Sequence, residues 1–298
     1  MSRIFEALQR ADRERKKAQA SLGAPQAEPP AISSVQPPSP SNEALNLDEI
    51  LRHPWKLSAA SFPTLADRGA SVEQFRSLRS RLHQARYEAP VKTILVSSGL
   101  PSEGKSFVAA NLAMSLVRNS ASNILLIDGD LRRPTLHDLL GAPSAPGLSE
   151  YLSGTAQLMD ILQRDRASKP ADAAGKRSFT NLTFVPAGAC GDNSSELVAN
   201  RRIEELIAVA AQYFDWILID SPPVLAVTDA VELAHAADAV LLIARGGTTT
   251  YDVAQRTQEA FKKSRILGFV LNDIRKAPRG GYNYYDYYAG PEAARRDK

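Results

Sequence analysis

Short runs of apolar residues recur from about residue 92 onwards, and each run is long enough for one buried β-strand. They cover residues 92–97, 123–127, 181–185, 215–219, 239–244 and 266–271. Apolar and polar positions do not alternate within them, which is typical of strands that are covered on both faces. Stretches with helical spacing lie between most of them, at 105–118, 195–212, 228–236 and 250–262. The alternation predicts an α/β fold, with a mainly parallel sheet and helices on both faces.

The ends of the chain differ in pattern from this region. Residues 1–20 have the spacing of an amphipathic helix. Residues 21–63 hold eight of the 19 prolines, so we expect a mostly disordered, Pro-rich linker over 21–70. The predicted P-loop domain then spans 71–275, with a polar loop at 164–178. Residues 276–298 lack the apolar residues of a core, and we expect a flexible, Tyr-rich tail.

Composition excludes several classes of protein. The 298 residues are 44% hydrophobic and 23% charged, which is ample for a core and excludes a wholly disordered chain. A net charge of +3 is too weak to indicate nucleic-acid binding, so no nucleic-acid partner is expected. The single cysteine excludes an intramolecular disulfide framework. No apolar run approaches the roughly 18 residues that span a bilayer, and we expect a cytoplasmic protein.

The strongest local motif lies between the first predicted strand and the helix that follows it. Residues 99–106 read G-x-x-x-x-G-K-S, the phosphate-binding P-loop pattern. Backbone N–H groups of such a loop line an anion site, Lys105 reaches the β- and γ-phosphates, and Ser106 ligates Mg²⁺. The alternative is a glycine-bearing turn that binds nothing. The predicted nucleotide-binding residues are Gly99, Ser102, Glu103, Gly104, Lys105, Ser106 and Phe107.

Three carboxylates end apolar runs further along the chain. Asp128 and Asp130 close the run 124–130, and Asp220 closes the run 216–220. Ligands collect at the carboxyl ends of parallel strands, so these side chains are expected near the P-loop. An apolar strand that ends in Asp is the Walker B pattern, which holds Mg²⁺. An Asp that starts a turn or caps a helix is the alternative.

Two arginines follow the second carboxylate directly. Arg132 and Arg133 are placed to hold nucleotide oxygens or a neighbouring carboxylate, since guanidinium groups match both geometries. Solvated turn charges explain them equally well. The sequence leaves this choice open.

Together these motifs resemble the bacterial tyrosine kinases (BY-kinases), P-loop autokinases associated with capsule and exopolysaccharide synthesis. The resemblance covers about residues 71–288. It rests on SSGLPSEGKS at 97–106, LLIDGDLRRP at 125–134, ILIDSPP at 217–223, an E-x-x-R-x-x-R segment at 73–79 and a terminal tyrosine cluster. Each motif alone also occurs in other P-loop proteins, whereas the set is specific.

The resemblance implies roles for the residues at the predicted site. Lys105, Asp128 and Asp130 would be catalytic, with Asp128 as candidate base or orienting group for the attacking tyrosine hydroxyl. The metal would be Mg²⁺, held by Ser106, Asp130 and Asp220, and the nucleotide would be ATP. Phosphoryl transfer depends mainly on positioning and charge neutralisation, so this small set of residues suffices.

The resemblance also implies acceptors and a subunit contact. Five of the nine tyrosines lie within seven positions, and they are the expected autophosphorylation sites: Tyr282, Tyr284, Tyr285, Tyr287 and Tyr288. Alternating aromatics of a strand or an interface are the other interpretation. Glu73, Arg76 and Arg79 would form an oligomer interface, although Glu73 and Arg76 also have the spacing of an ordinary helix-surface ion pair.

Partners and rival functions complete the expectations. The resemblance implies a membrane-bound activator or chain-length regulator of polysaccharide export, a ring-like homo-oligomer and a tyrosine phosphatase. The protein would then lie peripherally at the inner face of the plasma membrane. A partition or division-site ATPase is the nearest rival, but that class carries a second lysine where this chain has Leu100. A non-catalytic, nucleotide-binding regulator of polysaccharide export is the third interpretation.

Overall fold

The computed structural model describes residues 45–118, 122–166, 179, 181–189, 191 and 194–274. Its strands are β1 (Leu51–His53), β2 (Thr93–Ser98), β3 (Ile124–Asp128), β4 (Gln163–Asp165), β5 (Leu182–Val185), β6 (Trp216–Asp220), β7 (Ala239–Arg245) and β8 (Ile266–Asn272). They form one sheet in the order β1-β4-β5-β3-β6-β2-β7-β8. Neighbouring strands are parallel except β4 and β5, so the predicted mainly parallel sheet is confirmed.

Nine α-helices occur within the described residues. They are α1 (Ala70–Glu88), α2 (Lys105–Val117), α3 (Leu136–Leu140), α4 (Leu148–Ser153), α5 (Leu158–Ile161), α6 (Ser194–Val198), α7 (Arg202–Ala210), α8 (Asp229–His235) and α9 (Tyr251–Ala260). The predicted helix over 195–212 is therefore two helices. Between them the Asn200 side chain accepts a hydrogen bond from the N–H of Arg202, 3.4 Å away, and replaces a helical bond there.

Helices cover both faces of the sheet, because alternate residues of the central strands point in opposite directions. Ile94 and Val96 of β2 pack with α1 and α2, whereas Leu95 lies in the cluster formed with α4, α7 and α8. All residues of β2, β3 and β6 are buried. This explains why the sequence shows continuous apolar runs in place of alternation.

The structure differs from the predicted linker over residues 45–70. Strand β1 lies in this segment and extends the sheet by pairing with β4. Trp55 and Phe62 are buried in the cluster that covers α2. Only two of the eight prolines of 21–63, Pro54 and Pro63, lie in this segment, so the proline-rich composition describes the chain before residue 45 and does not extend to these buried residues.

Strand β4 also lies at the edge of a stretch that the sequence predicts as a polar loop. Arg164 is buried because its guanidinium donates to the Thr183 hydroxyl and to the Leu47 carbonyl, each at 2.9 Å. The Asp165 carboxylate accepts from the N–H of Trp55 at 3.2 Å. The polar residues of β4 are thus partners for the segment before α1, which pattern alone does not indicate.

Several predictions concern residues outside the described ranges. The amphipathic helix at 1–20, the linker before residue 45, the remainder of the polar loop at 167–178, Cys190 and the tail at 276–298 fall there. Within the described ranges, no helix combines the length and apolar character needed to cross a membrane.

Candidate active site

The phosphate loop connects β2 to α2 and depends on two unusual backbone conformations. Gly104 immediately precedes α2 with φ of 91°, and Ser102 also lies in the left-handed region with φ of 63°. The left-handed conformation of Gly104 favours glycine, and a Cβ there would also displace the Asn272 amide, whose Nδ2 lies 2.0 Å from the Cβ position. The N-terminus of α2, a helix of 13 residues, faces the loop and favours an anion there.

A cleft of about 570 Å³ opens beside the loop. Most of the predicted nucleotide and catalytic residues line it: Ser102, Gly104, Lys105, Ser106, Phe107 and Asp130. Arg132, Arg133 and Thr135 lie on one side, and Pro101, Pro222, Pro223, Ala226 and Val227 supply apolar walls. The cleft therefore combines the predicted phosphate-binding loop with apolar surface.

Two carboxylates lie side by side beneath this cleft. Asp128 and Asp220 are directly paired across β3 and β6, and both are fully buried. Gly129 follows Asp128 and donates its N–H to the Asp220 carbonyl at 2.8 Å. A Cβ on Gly129 would lie 2.7 Å from that oxygen, so only glycine permits the close approach of the two strand ends. The Asp-Gly-Asp spacing thus has a steric cause.

Burial dominates the electrostatics of the acidic group. It raises the pKa of Asp220 from 3.8 to about 7, against the opposing charge of Lys105 and the nearby Ser106 hydroxyl. Burial, followed by the charge of Asp220, raises the pKa of Asp128 well above its usual value. The pKa of Asp130 is raised by burial and held back by the Arg133 N–H and by Lys105. Bringing a cation to this group would relieve the repulsion.

The residues present fit a magnesium ion. Both carboxylate oxygens of Asp220 are buried and lack a hydrogen bond of good geometry among the described residues, although the Ser106 hydroxyl and the Ser221 N–H lie close by. Nowhere in the described ranges do three or more His, Cys, Asp or Glu side chains form a metal cluster. That combination suits Mg²⁺, which takes one or two protein carboxylates and completes its shell with phosphate and water. Ser106 and Asp220 would hold the ion, with Asp130 in the same cleft.

The two arginines after Asp130 have different environments. The Arg132 guanidinium donates to the buried Asp229 carboxylate at 2.8 Å and to the Ser195 hydroxyl. Arg133 binds Asp130 only through its backbone N–H, at 3.0 Å, and its exposed side chain lines the cleft. Of the two interpretations left open by the sequence, Arg132 therefore holds a neighbouring carboxylate.

Two of the predicted site residues have other partners. The Asp128 carboxylate accepts from the backbone N–H of Asp130 at 3.3 Å and of Leu136 at 3.1 Å, and it does not line the cleft. The Glu103 carboxylate points into the protein, where it accepts from the Leu100 N–H at 2.8 Å. For the predicted phosphate contact, Glu103 therefore has only its backbone available.

The predicted interface residues lie on α1. Glu73 and Arg76 form an exposed ion pair at 2.6 Å. Arg79 donates instead to the Ser115 carbonyl on α2, at 2.8 Å. An ion pair on a helix and a contact between subunits both fit this geometry, so the interface stays a prediction.

Sequence reasoning missed residues at the ends of β7 and β8. Arg245, Asn272 and Asp273 line a second cleft of about 670 Å³, together with Phe75 and Phe107. This cleft reaches the phosphate loop from the other side, at Ser102 and Gly104. These residues belong to no local motif, and their position after two parallel strands was the only available signal.

The parallel sheet, the loop and the paired carboxylates define a P-loop nucleotide-binding protein. No protein-family model matches the chain. It is 31% identical to the tyrosine-protein kinase YwqD of Bacillus subtilis, over 72% of this chain and 85% of that protein. The chain therefore belongs to the bacterial tyrosine kinase family.

Two further comparisons agree. The kinase domain of the Escherichia coli tyrosine kinase ETK superposes with a TM-score of 0.61 at 31% identity, covering 72% of this chain and 80% of that one. The tyrosine-protein kinase wzc of Salmonella typhimurium is 34% identical over 73% of this chain. The match spans only about 29% of the length of wzc, so that relative is much longer than the shared domain.

Proposed function

We propose that this chain is an Mg²⁺-dependent ATP:protein-tyrosine phosphotransferase that phosphorylates its own C-terminal tyrosine cluster. The observation that carries the proposal is the Asp220 carboxylate, which is buried beneath the cleft near Lys105 and Ser106 and is left without a well-formed hydrogen bond among the described residues. A buried anion without a partner is costly unless a cation binds there. Family membership supports tyrosine as the acceptor.

In this proposal the nucleotide lies across the phosphate loop, between the two clefts. The nucleoside occupies the cleft lined by Phe75, Phe107 and Asn272, and the triphosphate extends towards Lys105. The Lys105 ammonium neutralises charge on the β- and γ-phosphates. Mg²⁺ held by Ser106 and Asp220 would supply positive charge that stabilises the developing negative charge.

The acceptor tyrosine enters the cleft from the opposite side. Its ring packs against Pro222 and Pro223, which places the hydroxyl near Asp130 and the phosphate loop. The hydroxyl oxygen forms the new bond to the γ-phosphorus as the bond to the leaving ADP oxygen breaks. We assign its proton to Asp128 by way of the Asp130 carboxylate, because Asp130 lines the cleft and Asp128 lies buried beneath it.

The acceptors we propose are Tyr282, Tyr284, Tyr285, Tyr287 and Tyr288, which lie outside the described residues. Ile274, the last described residue, lines the nucleoside cleft. We infer that each tail enters the site of a neighbouring subunit in a ring built on Glu73, Arg76 and Arg79. Added phosphates, each carrying roughly −1.5 to −2 charges, would repel the carboxylates of that site and release the tail.

The setting we propose is the control of exopolysaccharide or capsule synthesis and export. A membrane-bound partner would activate the kinase at the inner face of the plasma membrane, and a tyrosine phosphatase would reset it. Family membership supports this setting, and the absence of a suitable helix in the described residues is compatible with recruitment by a partner.

Incubation of the purified protein with Mg²⁺ and ATP, followed by phosphotyrosine detection, tests the proposal. Lys105→Met should reduce the signal at least 100-fold, because it removes the charge that stabilises the transition state. A chain with all five tail tyrosines changed to Phe should bind ATP but lose nearly all phosphotyrosine. ATP hydrolysis without phosphotyrosine, even with the activating partner present, would favour the ATPase switch instead.

A further inference from the structure

The turn that follows β7 forms hydrogen bonds with the phosphate loop. We call residues 245–250 the β7 turn. Within it, the Thr249 hydroxyl accepts a hydrogen bond from the Arg245 N–H at 2.8 Å and donates to the Glu103 carboxylate of the loop. The other Glu103 oxygen accepts from the Leu100 N–H. Thr249 thus links the turn to both ends of the loop segment 100–103.

Two further contacts act on carbonyl groups of the loop. The Asn272 amide donates to the Glu103 carbonyl at 3.0 Å. Arg245 donates to the Ser102 carbonyl at 3.3 Å while it binds the Asp273 carboxylate at 2.6 Å. In a trans peptide the carbonyl and the following N–H point in opposite directions. Arg245 and Asn272 hold the carbonyl groups of Ser102 and Glu103 towards β7 and β8. The N–H groups that follow in the chain, those of Glu103 and Gly104, therefore point away from these two strands.

The orientation of these N–H groups is what an anion site requires, because a phosphate is bound by several convergent backbone donors. Glu103 is only 1% exposed, so its carboxylate depends on protein donors for its hydrogen bonds. Loss of the Thr249 hydroxyl would leave one buried carboxylate oxygen short of a donor. Such a group reorients or admits water, and either change disturbs the loop.

We propose that Thr249 is a positioning residue for the nucleotide, acting through the Glu103 carboxylate to hold the phosphate loop in its anion-binding shape. It does not touch the phosphates itself. The inference rests on the proposed function in one respect, that the loop binds the phosphates of ATP. It adds Thr249, which no sequence motif marks, to the residues on which nucleotide binding depends.

Three variants of the full chain test this, with Mg²⁺-ATP binding measured by isothermal titration calorimetry. Thr249→Val keeps the shape of the side chain without its hydroxyl, and we expect the Kd to rise about tenfold. Thr249→Ser keeps the hydroxyl and should stay within about twofold of wild type. Thr248→Val is the matched control, since Thr248 is an exposed neighbour in the same turn.

Thermal melting separates positioning from a general loss of stability. If Thr249→Val does not fold, Thr249→Ala removes the same hydroxyl with a smaller side chain. In phosphotransfer assays the loss should appear in the KM for ATP and leave the KM for a tyrosine peptide unchanged. An unchanged Kd in a folded Thr249→Val protein would overturn the inference, as would equal losses in the Ser variant.

The outcome for wild type distinguishes the two proposals. Nucleotide binding without phosphotyrosine contradicts the proposed kinase function and leaves the role of Thr249 to be decided by the variants. Failure of wild type to bind Mg²⁺-ATP at all would overturn both proposals.

Discussion

Replacing Asp220 by Asn should stabilise the metal-free protein at alkaline pH and abolish its response to magnesium. Burial raises the pKa of Asp220 to about 7 in the folded chain, from 3.8 when it is exposed. Below pH 3.8 the Asp220 carboxyl is protonated in both states and does not destabilise the folded protein. Above about pH 7 it is ionised in both states, and its burial lowers the free energy of unfolding by the full amount. Stability is lost as the pH rises from about 4 to about 7.

The size of the effect follows from that pKa difference. At pH 8 the ionised, buried Asp220 carboxylate lowers the free energy of unfolding by about 4 kcal/mol, at roughly 1.36 kcal/mol per unit of pKa difference. The Asn amide carries no charge but still lacks partners, which costs about 1–3 kcal/mol. We expect a net gain of about 2 kcal/mol, equivalent to a Tm rise of about 4–8 °C for a domain of this size. Near pH 4.5 the folded wild-type protein holds Asp220 protonated, so most of this destabilisation is absent and Asp220→Asn should no longer be more stable than wild type.

Thermal melting in EDTA at pH 4.5 and pH 8 measures this difference. Glu88→Gln, at an exposed carboxylate near the end of α1, is the control and should not change the Tm. Adding Mg²⁺-ADP at pH 8 should raise the Tm of wild type but not that of Asp220→Asn, because the variant lacks the metal ligand. A variant less stable than wild type at pH 8 without metal, or a difference independent of pH, would refute the reasoning.

Two further predictions concern the other carboxylates and the segment before α1. Asp128→Asn should lower the rate of phosphotransfer at least 100-fold at every pH while Mg²⁺-ADP binding, measured by calorimetry, persists. Asp130→Asn should instead raise the Mg²⁺ concentration needed for half-maximal activity. The opposite pattern would exchange the roles of Asp128 and Asp130. A chain that starts at residue 71 should be less stable, because it lacks the packing of the buried side chains of Trp55 and Phe62. Phe62→Ala alone should lower the free energy of unfolding, measured with a chemical denaturant, by about 3–5 kcal/mol. Unchanged stability would contradict the buried position of this segment.

The sequence was most informative where chemistry is local. Residues 99–106 specify the phosphate loop because the turn needs Gly104 in a left-handed conformation and because Lys105 and Ser106 follow at fixed spacing. Asp128 and Asp220 end their strands, and a parallel sheet brings such ends together without further information. The apolar runs predicted six of the strands, of which β2, β3, β5, β6 and nearly all of β7 are buried on both faces. The run at 266–271 gave no sign that β8 is a partly exposed edge strand.

Contacts between distant segments could not be predicted. β1 and β4 are short and polar, and they exist because Arg164 and Asp165 find partners in residues 45–56, more than 100 positions away in the chain. Thr249 supports the phosphate loop from a turn 146 residues after Glu103. A threonine in a Gly-Gly-Thr-Thr-Thr stretch gives no local sign of such a role.

Transfer of the γ-phosphate of ATP to tyrosine is the central claim, and its fate can be followed directly. Wild-type protein would be incubated with γ-³²P-labelled ATP and Mg²⁺, with and without the activating partner, and the label would be mapped by proteolysis and mass spectrometry. We predict that most protein-bound label is phosphotyrosine at residues 282–288 and that Lys105→Met carries none. Label released only as inorganic phosphate, or phosphotyrosine placed mainly on Tyr87, Tyr151, Tyr213 or Tyr251, would contradict the account.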